Sequence, residues 1–187
     1  MAKVYEFLAN GGEEIEALAV VDILRRGGVD VTTVSITGSN IVEMSHNVTI
    51  LADTTIEEAD FTDADMLLLP GGMPGAANLL EHAGVRDALL AQAAEGKRIG
   101  AICAAPMVLG QLGLLDGKRA TCYPGFEQYL NCAEYTHELF TIDGNIITGE
   151  GPAAAFPYAY AILGMFAPAE TVEALKEGMI YNQLVNN

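Results

Sequence analysis

The sequence has no tryptophan, three cysteines, three histidines and nine lysines or arginines against 25 aspartates and glutamates. Each scarcity excludes something. Nucleic-acid phosphates and anionic membrane surfaces are bound by clustered Lys and Arg, and a formal net charge of −16 suits neither partner. No apolar run approaches the roughly 18 residues of a membrane span. The opening stretch, Met1 to Gly12, has too little apolar length for a secretory signal. Cys103, Cys122 and Cys132 are odd in number and show no C-x-x-C spacing, which predicts reduced thiols in a cytoplasmic protein. His46, His82 and His137 are scattered along the chain, so no metal site is expected. Neither G-x-G-x-x-G nor a P-loop lysine occurs, which leaves nucleotide binding without support.

What is present is apolar mass. The 187 residues are 51% hydrophobic and 18% charged, enough for a single domain over 1–187 with a substantial core. Lys3–Leu8 reads as a strand, followed by the turn cluster Asn10-Gly11-Gly12. A helix opens at Glu13 and Glu14 and runs to Arg26, stopped by Gly27-Gly28. Val29–Ile36 is β-branched and completes a β-α-β unit with parallel strands. Ile41–Glu43 and Val48–Leu51 form a hairpin, and Ile56–Ala59 a brief helix. Met66–Leu69 is a continuous apolar strand ending at Pro70-Gly71-Gly72. Helices follow at Ala76–Leu80 and Val85–Ala94, broken near Ala83-Gly84. Ile99–Ile102 is a buried strand, Ala104–Leu112 a helix, and Arg119–Cys122 another strand. Asp143-Gly144 joins Glu138–Ile142 to Asn145–Thr148 as a hairpin. Phe156–Phe166 and Thr171–Gly178 are closing helices. Strands alternating with helices, with one antiparallel insertion, predict an α/β fold: a three-layer α/β/α sandwich on a mostly parallel sheet.

Cys103 lies at the join of the strand 99–102 and the helix that follows. That is the carboxyl end of a central strand, where open α/β sheets place ligands. It is also a helix N-terminus, where N–H groups favour an anion and lower a thiol's pKa. The arrangement resembles a nucleophile elbow carrying sulfur. The plainer reading, a buried structural cysteine, is equally consistent with this stretch. Glu16 opens the first helix near the same sheet edge, where it can share a proton with the thiol; spacing by itself favours an ordinary helix-opening carboxylate. Gly71-Gly72 places free backbone N–H groups at that edge and, with the N–H of Ala104, would make an oxyanion hole; otherwise it is a plain turn. None of the histidines falls at a strand end near Cys103. Cys122, in a strand, and Cys132 read as structural.

Four segments together resemble the ThiJ/PfpI superfamily, in the branch of the Parkinson-disease protein deglycase. They are Phe7-Leu8-Ala9-Asn10-Gly11-Gly12-Glu13-Glu14-Ile15-Glu16, Leu68-Leu69-Pro70-Gly71-Gly72, Ala101-Ile102-Cys103-Ala104-Ala105-Pro106 and Thr148-Gly149-Glu150-Gly151-Pro152. The resemblance runs in register over nearly the whole chain. It implies a flavodoxin-like fold, Cys103 as nucleophile, Glu16 as its protonated carboxyl partner, and Gly72 and Ala104 as oxyanion donors. It also implies a homodimer whose interface includes the helix carrying Glu16, with Arg26 and His46 near that interface. The implied chemistry acts on small reactive carbonyls such as methylglyoxal, or on their protein adducts, with no cofactor. Alternatives within the resemblance are a redox-responsive stress protein or chaperone using Cys103 oxidation, and a PfpI-type intracellular peptidase.

Two departures bear on these expectations. Well-studied members of the family carry a histidine where this chain has Tyr123, and a phenol of pKa about 10 is a poor base at neutral pH. The family's Ser-Arg-Gly-Pro-Gly segment reads Gly149-Glu150-Gly151-Pro152-Ala153 here. Replacing Arg by Glu reverses a charge that an anionic substrate would meet.

Overall fold

A computed structural model describes residues 1–185. Its elements in chain order are β1 (Lys3–Leu8), α1 (Glu14–Arg26), β2 (Asp30–Ser35), β3 (Ile41–Glu43), β4 (Thr49–Leu51), β5 (Thr54–Thr55), β6 (Met66–Leu69), α2 (Gly75–Glu81), α3 (Ala83–Ala94), β7 (Arg98–Ile102), α4 (Pro106–Gln111), β8 (Arg119–Ala120), β9 (Glu134–Tyr135), β10 (Phe140–Asp143), β11 (Ile146–Gly149), α5 (Ala155–Leu163), α6 (Ala169–Gly178) and α7 (Tyr181–Val185). Residues 186 and 187, which the sequence reading included in one domain, lie outside the described residues.

Seven strands form one sheet in the order β10-β11-β7-β6-β1-β2-β5. Every neighbouring pair is parallel except β10 with β11, the hairpin turned at Asp143-Gly144. All four residues of β6 are buried, as are Ile99 to Ile102 of β7. Such uninterrupted apolar strands are what a sheet covered on both faces requires. α1 and α5 pack together over β1 and β11, while α2, α3 and α4 associate with one another against β1, β6 and β7. From β1 the chain first runs outward to β2 and β5, then returns to β6 and continues the other way to β7. The reversal between β1 and β6 is a topological switch point, and the loops after these strands meet at its carboxyl edge. No described helix is long and apolar enough to cross a membrane.

The structure departs from the expected elements in several places, among them the short strands β5 and β9, which no sequence pattern announces. Ile56–Ala59 is a single turn, its Glu58 and Ala59 N–H groups both returning to the Thr55 carbonyl, because the chain there leaves the two-residue edge strand β5 and goes no further as a helix. The strand expected at Arg119–Cys122 stops at Ala120 and pairs in parallel with β9, outside the main sheet. Beyond it Thr121 N–H donates to Thr148 Oγ1 and Tyr123 N–H to the Cys103 carbonyl, so the segment is drawn across the sheet edge and Cys122 lies in no strand. The helix expected from Ala104 begins at Pro106, after a turn in which Ala105 N–H bonds the Ile102 carbonyl. Helix α7 carried no clear apolar period and was not foreseen.

Candidate active site

Cys103 follows β7 with a φ of +64°, a left-handed conformation that costs a non-glycine residue about 1–3 kcal/mol. Two main-chain bonds hold it there: Cys103 N–H donates to the Gly149 carbonyl (2.9 Å), and Tyr123 N–H donates to the Cys103 carbonyl (2.8 Å). The strand–turn–helix therefore presents the thiol at the switch-point edge, as the elbow pattern anticipates. The side chain is nonetheless buried, at 8% exposure.

Glu16 reaches the same point from α1. Glu13 begins that helix, its carboxylate accepting from Ile15 N–H, and its own N–H donates to the Gly71 carbonyl (2.9 Å). Gly71 N–H in turn donates to Glu16 Oε2 (2.8 Å). The loop after β6 is thus fastened twice to the start of α1. Glu16 is fully buried. Its Oε1 has no hydrogen-bond partner among the described residues, and the Cys103 thiol acts on the carboxyl by lowering its pKa. The packing leaves Gly71 no room for a side chain: a Cβ there would stand 2.6 Å from Cys103 Cβ and 2.7 Å from Glu16 Oε2. Gly72 has a φ of +81° and would strike the Glu13 main chain with any Cβ.

Burial pushes the Glu16 carboxyl up to about 7; the hydrogen bonds from Cys103 and Gly71 resist that rise and the Glu13 charge adds to it. Cys103 is pushed up to about 12, first by burial and then by the Glu16 charge and hydrogen bond, while the N–H groups of Gly72 and Ala104 act to lower it. This corrects the expectation of a thiol acidified by a helix N-terminus. Helix α4 is six residues long and starts three residues beyond the sulfur, so the thiol feels two N–H groups and a nearby carboxylate more than any dipole. The contribution of Glu16 reverses once it takes a proton, while that of burial persists. Repulsion then disappears and the carboxyl becomes a donor to sulfur, so proton occupancy of Glu16 governs thiolate formation. The Cys103 alkylation rate plotted against pH should accordingly show a step near 7 in the wild type and none in Glu16→Leu. A step retained in the variant would remove Glu16 from the site.

The remaining candidates fall into place unevenly. Tyr123 joins Cys103 through its main chain, but its ring lies over Gly151 and lines a cavity of about 200 Å³ with Pro124, Leu139 and Glu150. Both departures from the family pattern therefore sit in one outer cleft. His46 reaches the amino end of α1: its Nδ1 is 3.1 Å from Glu14 Oε2 and 3.5 Å from Glu13 Oε2. Ser45 Oγ also donates to both carboxylates, and Glu14 raises the His46 pKa. Ligand-capable atoms of Glu13, Glu14 and His46 lie within 4.8 Å of one another, a grouping the scattered histidines of the sequence did not suggest. Within the chain, Arg26 is not at the site. It is ten residues beyond Glu16, about 15 Å along the helix, and its Nε donates to Asp22 (2.8 Å). Cys122 is buried, its thiol donating to the Tyr123 carbonyl (3.4 Å). Sequence reasoning missed Glu6 and Tyr158, both buried on the α1–α5 side of the sheet. The signal for Glu6 was legible, since a carboxylate inside Val4-Tyr5-Glu6-Phe7-Leu8 breaks an otherwise apolar strand.

Residues 2–165 match the DJ-1/PfpI family. Protein dj-1beta of Drosophila melanogaster is 37% identical over 175 residues, covering 92% of this chain and 94% of that protein. The protein named glutathione-independent glyoxalase DJR-1.2 of Caenorhabditis elegans is 30% identical, covering 87% of each chain. Oxidized DJ-1 of Toxoplasma gondii superposes with a TM-score of 0.92 at 32% identity, over 96% of this chain and 98% of that one.

Proposed function

Since the chain belongs to the DJ-1/PfpI family, we propose that it is a cysteine-dependent enzyme converting small 2-oxoaldehydes, or their protein adducts, to 2-hydroxy acids without glutathione. The observation that carries this reading is the pairing of Cys103, in a strained turn, with a fully buried Glu16 whose carboxyl is poised at about 7. A general acid–base group serves best when its pKa lies near the working pH. The name of the Caenorhabditis relative supports the same substrate class.

With methylglyoxal, the Cys103 sulfur attacks the aldehyde carbon. The oxygen takes the proton held by Glu16, giving a hemithioacetal. Gly72 and Ala104 N–H groups, which act to lower the Cys103 pKa, stabilise the transient oxyanion in this scheme. Glu16, now a carboxylate, removes the proton from the former aldehyde carbon and returns one to the neighbouring carbon, while the hydroxyl proton passes from the first oxygen to the second. The product of that transfer is a thioester of lactate, which water cleaves to lactate and free thiol. Atoms balance as methylglyoxal plus water giving lactate. Tyr123, over Gly151 in the outer cleft, shapes substrate entry in this scheme. Ile15 and Leu18 project from α1 into solvent, and an apolar face of this kind supports self-association as a homodimer.

The test is lactate formation from methylglyoxal without glutathione. Wild type should form lactate, and Cys103→Ala should fall to the uncatalysed rate with its fold intact. Turnover by Cys103→Ala would overturn the assignment. A redox-responsive role is the second reading, favoured by the oxidized Toxoplasma relative: a protonated Glu16 and two N–H donors also stabilise a sulfinate. Peptidase activity finds less support, because none of the groups acting on the Cys103 thiol is a histidine.

A further inference from the structure

Glu16 Oε1 is not the only polar atom sealed on this side of the sheet without a hydrogen-bond partner; Glu6 Oε2 and the Tyr158 hydroxyl are in the same condition. Both residues are 1% exposed. The sheet register explains how they come together. Glu6 of β1 lies opposite Leu68 of β6, and Leu68 opposite Gly100 of β7, so the three share one row and one face. Gly100 has no side chain, and the ring of Tyr158, from α5, fills the gap. A Cβ on Gly100 would stand 2.5 Å from the Tyr158 hydroxyl. A phenol is thereby delivered to the row that carries Glu6, beneath the helix that carries Glu16.

The charged and titratable groups facing Glu6 are Arg25 and Glu16 from α1, while Tyr158 comes from α5 and is itself raised by burial and by both carboxylates. The arginine is committed elsewhere. Its Nη2 donates to Asp53 Oδ2 (2.6 Å) and to the Val31 carbonyl (2.9 Å). Asp53 also accepts from the N–H and hydroxyl of Thr33, the residue opposite Glu6 on β2. Among the described residues Glu6 has no ion-pair partner, and burial holds its carboxyl well above the usual range. A buried charge without a partner is strongly disfavoured, and a second like charge nearby raises the cost.

We propose that Glu6, with Tyr158 beside it, is a positioning residue for the Cys103–Glu16 pair: an uncharged carboxylic acid whose ionisation competes with the negative charge held by the pair. The proposal rests on the site assignment above. Its consequence is that the interior between the sheet and α1 carries one negative charge in the neutral range, kept at the reacting end because Glu6 stays protonated.

Infrared titration of the intact protein tests this without any turnover assay, so failure of the lactate experiment leaves it standing. Wild type at pH 8, where Glu16 is largely ionised, should show the C=O stretch of a protonated carboxylic acid. Glu6→Gln should lose that band, assigning it. In Glu16→Gln, which removes the competing charge, the Glu6 band should titrate about half a pH unit or more lower. Purely structural packing of Glu6 would not move that midpoint. Absence of the band from the wild type at pH 8, or its survival in Glu6→Gln, would overturn the proposal. A Glu6 midpoint unchanged between wild type and Glu16→Gln would do the same.

Discussion

Gly71→Ala is expected to reduce Cys103-dependent turnover by about 10²-fold or more, the scale of loss that an ångström-level misplacement of reacting groups produces. One methyl group is enough because three parts of the site converge on that carbon. The added Cβ would stand 2.6 Å from Cys103 Cβ, 2.7 Å from Glu16 Oε2 and 2.8 Å from the Ile102 carbonyl. Two of these belong to the strand and turn that set the thiol, and the third is the carboxyl that exchanges its proton. None is the loose end of a surface side chain, so relief must come from moving the loop after β6 away from α1. That movement lengthens the Gly71 N–H to Glu16 bond and releases the carboxyl. Overpacking of this kind costs about 1–3 kcal/mol, so a lower Tm should accompany the lost activity. Gly178→Ala is the control. That glycine ends α6 with nothing within 4 Å of the would-be Cβ, and alanine there should stabilise by about 0.4–1 kcal/mol through the unfolded chain. Calorimetry with lactate assays on both variants separates steric displacement from a general response to alanine. Wild-type turnover by Gly71→Ala would show that the thiol and carboxyl are not clamped through this residue.

How much of this was legible in the sequence depends on how local the signal was. β2, β6, α1 and the two hairpins announced themselves through a β-branched run, a continuous apolar run, a capped amphipathic period and turn pairs, all properties of a few adjacent residues. Cys103, Glu16, Gly71, Gly72 and Ala104 each sit at a strand end or helix start, so alternation alone placed them along one edge. Burial of the thiol was not legible. It depends on Gly71, Gly149 and the segment leading to Tyr123 closing over Cys103 from three distant parts of the chain, which is why the expected acidification of the sulfur reversed. The Arg119–Cys122 strand failed for the same reason: Thr121 and Tyr123 give their N–H groups to Thr148 and Cys103, and no local pattern reveals such partners. His46 was read as an isolated histidine because its carboxylates, Glu13 and Glu14, are more than 30 residues away.

Glu6→Gln should make the protein more stable relative to wild type as pH rises, the reverse of what deleting an acidic surface residue would do. In the unfolded chain Glu6 titrates at about 4.3, whereas in the fold burial holds it well above the ordinary value. Below the unfolded pKa both states are protonated and the residue contributes its full packing. Above it the unfolded chain releases a proton that the folded protein keeps. Stability then falls by about 1.4 kcal/mol per pH unit until the folded carboxyl itself ionises. Glu16 adds a decline of the same sign up to its folded value of about 7, but that contribution is common to both proteins and cancels in the difference. Asp53 is depressed despite its partial burial, by hydrogen bonds from Thr33 and by Arg25, and so loses stability toward acid; it too cancels. Glutamine keeps the shape of the protonated acid and cannot ionise in either state. Urea unfolding of the two proteins at pH 4.5, 6 and 7.5 should therefore give a difference that grows steadily in favour of the variant. Any fixed cost of burying an amide moves all three points equally and leaves the slope intact. A difference independent of pH would mean that Glu6 is ionised in the folded protein, and the interior beside α1 would then hold two negative charges instead of one.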